Sequence, residues 1–203
     1  SGRINERMFR GILEEGGSGM SELEIASIAE KVSRIDGFGG RIRMRRWPMD
    51  CDRAVVVSGR SGGIPSFFDS AVGGSGSSPT SPLGAGHRKI RDGEPVLVDL
   101  VHVHRGYVSD CTRMFSSGAM SKEWAQRLED MAQISDLVVS KLGARGSCSE
   151  AWHEGKSLSA ELGYDHHLMG MPPHQARFLG HSVGLELDES PVVAGGFDRP
   201  MHT

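Results

Sequence analysis

Two carboxylates are the residues through which this chain could do chemistry. Asp99 and Asp110 interrupt the stretch PVLVDLVHVHRGYVSDCTRMF, Pro95 to Phe115. The stretch reads as two β-strands, Pro95–Val103 and Tyr107–Phe115. His104-Arg105-Gly106 supplies the turn, with glycine free to take positive φ. A two-residue turn at His104-Arg105 pairs Val103 with Gly106 and sets Asp99 directly opposite Asp110. Like charges so placed are destabilising, and a buried carboxylate needs a partner. A divalent cation answers both problems. A bulge at Gly106 shifts the pairing by one residue and leaves the acids as near neighbours. The plainer alternative makes both acids half-exposed strand residues paired with Arg105 or Arg113. The hairpin alone leaves the two readings open.

The elements that would position these groups follow from spacing. Ile4, Met8, Phe9, Ile12 and Leu13 predict a helix over residues 3–15, ended by Gly16-Gly17-Ser18-Gly19. Ser21-Glu22-Leu23-Glu24 is a capping box. It opens a helix with Ile25, Ile28, Ala29, Val32 and Ile35 on one face, closed by Gly37, Gly39 and Gly40. Arg41–Trp47 alternates as a half-buried strand with a solvated arginine side. Ala54–Ser58 is apolar on both faces and reads as a buried strand. Residues 59–86, rich in Gly, Ser and Pro, form a long loop. It is either a flexible surface loop or a substrate-pocket wall whose backbone must approach a ligand. Ser121 caps a helix carrying Trp124, Leu128, Met131, Ile134, Leu137, Val138 and Leu142, stopped by Gly143. Ser147-Cys148-Ser149-Glu150 opens another, anchored by Trp152, Leu158 and Leu162. The similar places of Gly19-Met20-Ser21-Glu22 and Ser147-Cys148-Ser149-Glu150 hint at an internal duplication. Asp165, His166, His167 and His174 read as loop residues, since neighbours in an extended chain point apart. Ala176–Leu187 is predicted as a strand bearing His181.

Composition sets bounds. At 203 residues the chain is expected to be a single domain, long enough for a real core. A formal charge of −3 gives no reason to expect nucleic acid or an anionic membrane as partner. No apolar run approaches the roughly 18 residues of a membrane span, and no signal peptide is evident. Cys51, Cys111 and Cys148 are odd in number and lack paired spacing, which fits a reducing cytoplasm better than a disulfide framework. Cys111, beside Asp110 on a strand, is expected to point away from it into the core.

Asp99, Gly106-Tyr107 and Asp110-Cys111-Thr112-Arg113-Met114-Phe115 resemble the "D…GY..D.TR.F" hairpin of the pita-bread metallopeptidases. That family includes methionine aminopeptidase, aminopeptidase P, prolidase and creatinase. Phe178 to Pro191, FLGHSVGLELDESP, resembles its "GHGVGL..HE.P" strand, on the prolidase and aminopeptidase P side. The resemblance implies an α+β pita-bread fold, a curved antiparallel sheet with helices on its outer face. It implies that Asp99 chelates one metal, Asp110 bridges two, and His181 holds the second, a donor set that suits Mn, Co, Fe or Zn; standing alone, His181 reads as a histidine hydrogen-bonded within the sheet. It implies a peptide substrate and a homodimer. The family's two metal-binding glutamates lie downstream of the histidine strand, one in a "GM…EP" segment expected near or after Pro200–Thr203. Neither is in these 203 residues, nor is a general base, so the chain reads as a C-terminally incomplete catalytic domain. The family's upstream substrate-binding histidine falls near Ser81. The histidine of "HE" is replaced by Asp188, which cannot act as a neutral imidazole donor. Ser182 stands where the family usually has glycine.

The function implied is hydrolysis of peptides near a free N-terminus, X-Pro bonds among them, by water activated between two divalent metals (Mn, Co, Fe or Zn). Creatinase uses the same fold on another C–N bond without metals. The alternative is a non-catalytic pita-bread module that binds peptides or proteins through a degraded metal site. The changed histidine positions favour the second reading, and the retained Asp99, Asp110 and His181 favour the first.

Overall fold

The apolar spacing of the first 35 residues produces two helices, α1 (Gly2–Glu15) and α2 (Glu22–Ile35). The structure, a computed structural model, describes residues 2–44, 54–66, 70–143 and 146–198. Ile4, Met8, Phe9 and Ile12 are buried along one side of α1. The capping box forms at α2: the Ser21 hydroxyl accepts from the Glu24 amide, and the Glu24 carboxylate accepts from the Ser21 amide. Ile25, Ala26, Ile28 and Ala29 are buried. Ile35, expected on that face, is 75% exposed. It is the last helical residue, beyond the turn where the Ser33 hydroxyl meets His102 Nδ1 at 2.8 Å.

The helices cover one face of a three-stranded antiparallel sheet of order β1-β2-β3. Its strands are β1 (Ala54–Ser58), β2 (Val96–His104) and β3 (Tyr107–Phe115). The period-two alternation of strands divides the sheet cleanly. Ala54, Val56, Val96, Val98, Leu100, Cys111 and Phe115 pack with α1 and α2. Val98 and Leu100 are wholly buried, each contributing about 1.5–3 kcal/mol. Asn5 on α1 reaches the same face, donating to the Leu100 carbonyl at 3.1 Å and accepting from the Ser109 hydroxyl at 3.1 Å. Val101, Val103 and Val108 point the other way and join Leu187 in a second cluster, with Phe38, Ile42 and Met44 against it. Cys111 is therefore a core-side residue, as expected, and Cys111 and Cys148 carry free thiols; Cys51 lies outside the described residues.

The hairpin register differs from the expected one. His104 pairs with Tyr107, so the turn is Arg105-Gly106, with φ of 53° and 87°. Positive φ at both central residues suits the twist of a two-residue hairpin, and glycine fits the second position at no steric cost. A turn at His104-Arg105 would demand that conformation of two side-chain-bearing residues. Asp99 is consequently opposite Thr112, and Asp110 opposite Val101. The acids are not direct partners. Because the shift is by two, both stay on one face, in adjacent rows.

Two compact units are distinguished. The first comprises Ser1–Ile64, Val72–Met120 and Val183–Asp188. The second comprises Pro65–Ala71, Ser121–Ser182 and Glu189–Thr203. It holds α3 (Lys122–Gly143), α4 (Cys148–Glu161) and an antiparallel pair, β4 (Gly180–Ser182) with β5 (Glu189–Val193). The expected strand over 176–187 is thus only three residues long, broken by a register irregularity between His181 and Ser182. Residues 41–44 are not strand. The Arg43 carbonyl instead accepts one bond from the Leu187 amide, at 2.8 Å; Arg45–Trp47 lie outside the described residues. The α4 anchors also differ: the buried stripe is Cys148, Ala151, Gly155 and Ser159, with Trp152, Leu158 and Leu162 only half-buried. Small residues let α3 approach closely. A Cβ on Gly155 would sit 2.7 Å from Val138 and 2.7 Å from Leu179. The Ser147 hydroxyl caps α4 by accepting from Glu150 N, as Ser21 does from Glu24 N in the first unit. The matching positions are the two caps, two residues off the correspondence expected from sequence.

Candidate metal centre

The outer face of the first sheet is built in rows. Val57, Leu97 and Met114 form one; Val55, Asp99 and Thr112 the next; Val101 and Asp110 the third. Strand geometry places same-face neighbours along a strand about 7 Å apart, and cross-strand diagonals lie within side-chain reach. Asp99 Oδ1 accepts from the Thr112 hydroxyl at 2.6 Å. Asp110 is half-buried and hydrogen-bonds Asp99. Its carboxyl is pushed up to about 8, first by burial, then by the charge of Asp99 and the bond with it, against the Cys111 amide. Two carboxylates this close do not both ionise readily. A hard divalent cation held by both would relieve that repulsion. The donor set and its charge fit such an ion.

The arginine alternative fails on one side. Arg113 lies on the opposite face, with its guanidinium 5.8 Å from the Phe9 ring centroid and a 2.7 Å bond to the Thr112 carbonyl. Arg105 sits exposed in the turn.

The other expected residues lie as follows. His181 is on β4 in the second unit, half-buried, with Nδ1 3.2 Å from the Ser182 carbonyl oxygen and its ring edge-on to Phe178. Asp188 belongs to the first unit and follows Leu187, which is buried against the acid-bearing face. Just before it, the Gly184 carbonyl accepts from Val108 N on β3 at 2.7 Å. Ser81 is exposed at a tight turn, its carbonyl accepting from the amides of Ser77 and Ser78 at 3.0 and 3.4 Å. Asp165 and His166 make only a 3.6 Å contact, with the His166 side chain 82% exposed, in keeping with a loop role. Among the described residues no three His, Cys, Asp or Glu side chains converge as a metal cluster.

The described part of the Gly/Ser loop is built from hydrogen-bonded turns. It begins with a 3-10 turn, Gly59–Gly63. It then forms an arch in which Gly84 N donates to Gly73 O at 2.7 Å and Gly76 N to Gly84 O at 3.1 Å. A Cβ on Gly74 would meet Gly84 O at 2.3 Å and Val57 Cγ1 at 2.8 Å. The arch therefore rests on Val57, one row from Asp99. Glu22, the acid that holds this arch, drew no functional expectation. Its neighbours Ser21 and Glu24 account for the capping pattern, and nothing local marks Glu22 as buried.

The description "Metallopeptidase family M24" matches residues 1–203. An Xaa-Pro dipeptidase from Lactobacillus delbrueckii subsp. lactis is 24% identical over 153 residues, 72% of this chain and 40% of that protein. The crystal structure of X-Pro aminopeptidase from Thermotoga maritima MSB8 superposes with a TM-score of 0.74 at 22% identity, covering 98% of this chain and 47% of that one. Prolidase from Pyrococcus furiosus gives 0.71 at 18% identity, covering 98% and 50%. The fold is the α+β pita-bread fold of these proteins. The chain spans about half of their length.

Proposed function

Since the chain belongs to metallopeptidase family M24, we propose that it hydrolyses peptides near a free N-terminus, X-Pro bonds among them, with divalent cations held by Asp99, Asp110 and His181. The observation that carries this reading is the Asp99–Asp110 pair, two acids in adjacent rows of one face with a hydrogen bond between them. The relatives that match an Xaa-Pro dipeptidase, an X-Pro aminopeptidase and a prolidase support the substrate class.

Each residue has a task in this reading. Asp99 and Asp110 supply the hard oxygens, with Thr112 Oγ1 orienting Asp99 through its 2.6 Å bond. His181 supplies the imidazole nitrogen. Bound cations would acidify water and polarise a carbonyl. Asp188 and Ser81 face the peptide, where related chains carry histidines; Asp188 accepts hydrogen bonds that an imidazole would donate. The deciding experiment is Asp110→Ala in the Mn- or Co-loaded protein. Metal binding by calorimetry and hydrolysis of an X-Pro dipeptide are expected to disappear together. Hydrolysis that persists unchanged in that variant sinks the mechanism.

A further inference from the structure

Glu22 is a carboxylate with no exposure to solvent, at the first helical position of α2. Its two oxygens serve different segments. Oε1 accepts from the Ser58 amide at 2.7 Å, the Ser58 hydroxyl at 2.8 Å and the Ser61 hydroxyl. Oε2 accepts from the Gly86 amide at 3.0 Å. Ser58 and Ser61 stand where the chain leaves β1, and Gly86 where it returns from the arch. The Glu22 amide adds a 3.0 Å bond to the Arg88 carbonyl. Arg88 in turn donates to Ser58 Oγ at 2.5 Å and makes a two-point ion pair with Glu94, 2.6 Å at each contact. One buried side chain thus grips both feet of the Gly/Ser arch.

A buried charge is costly unless hydrogen bonds satisfy it. Here four donors at the two feet of the arch satisfy it. Gly74 rests on Val57, on the face of the sheet that carries Asp99 and Asp110, one row away from Asp99. Its exposed serines, Ser75, Ser77 and Ser78, rise from that position.

We propose that Glu22 is a positioning residue for substrate: it fixes the arch beside the acid row so that the arch forms one wall for an extended peptide. The proposal rests on the peptidase reading above for its substrate, while the clamp stands on the geometry alone. Glu22→Gln is the selective test. The amide oxygen can keep the three donors at the outgoing foot. The amide nitrogen then confronts the Gly86 N–H, donor against donor, and the returning foot is released.

Hydrogen exchange followed by mass spectrometry, with steady-state kinetics on an X-Pro dipeptide, reads both consequences. In Glu22→Gln, the amides of Gly76, Gly84 and Gly86 are expected to exchange at least about tenfold faster, while β2 and β3 are unchanged. KM is expected to rise about tenfold with kcat held, since binding geometry and not the metal centre is disturbed. Unchanged exchange in the arch overturns the clamp. A fall in kcat at constant KM overturns the positioning role. If the unsubstituted protein hydrolyses no peptide, the peptidase reading has failed, and the exchange result alone decides the clamp. Should Glu22→Gln not fold, Glu22→Asp keeps the charge but retreats by one methylene, and faster arch exchange is expected there too.

Discussion

His102 is the residue whose environment makes the sharpest pH prediction. It is wholly buried, with Nδ1 on the Ser33 hydroxyl and Nε2 without a hydrogen-bond partner among the described residues. Burial lowers its pKa below the ordinary histidine value, helped by His104 and Arg7 and opposed by Asp36. A histidine depressed in the folded state stabilises the fold above its unfolded pKa of about 6.5. That stability is lost as pH falls through 6.5 and below, because the unfolded chain takes the proton more readily. The His102 contribution to the urea midpoint is therefore expected to fall between pH 7.5 and 5, against the raised Asp110 carboxyl, which contributes in the opposite direction. In His102→Gln, which cannot charge, the midpoint at pH 5 relative to that at pH 7.5 should be higher. Equal slopes for the two proteins would assign the pH dependence elsewhere. That Asp99 and Asp110 share a face was legible in the sequence because parity on a strand survives a two-residue error in register. Their exact pairing was not legible, since it depended on whether Arg105 would accept positive φ.

Helix capping and close packing make the predictions at the level of elements. Ser21→Ala and Ser147→Ala each remove an acceptor at a helix start and are expected to cost about 1 kcal/mol in urea denaturation. Gly155→Val drives a side chain against Val138 and Leu179, where even a Cβ has 2.7 Å. It is expected to destabilise by about 1–3 kcal/mol; no loss of stability would mean that α3 and α4 are not held that closely. The caps were legible because the pattern Ser-x-x-Glu is local. The α4 stripe was not. Apolar size pointed to Trp152, Leu158 and Leu162, whereas the buried side is set by how near α3 must come, and that favours Cys148, Ala151, Gly155 and Ser159. Of the strand expected over 176–187, only Gly180–Ser182 finds a ladder partner, on β5.

At the scale of the molecule, one local plan occurs twice. A helix pair whose second member is opened by a serine cap, followed by antiparallel strands, describes each unit in turn. No helix among the described residues is long and apolar enough to cross a membrane. If the metal reading holds, saturating Mn or Co raises thermal stability by mass action, about 2.7 kcal/mol at a hundredfold excess over Kd. EDTA should reverse the gain, and Asp110→Ala should abolish it. A metal-loaded protein that is stabilised yet turns over no X-Pro or N-terminal peptide would favour the binding-module alternative raised by Asp188 and Ser81.

The arch also bears on how far this chain tolerates change. A stretch of glycine and serine suggests a place for an inserted tag or a library of random side chains. Here any side chain at Gly74, Gly76 or Gly86 would come within 2.3 Å or less of another atom. A deep mutational scan should find these three glycines among the least replaceable positions of the loop. The exposed Pro79 and Thr80, only a few residues away, should accept nearly any residue.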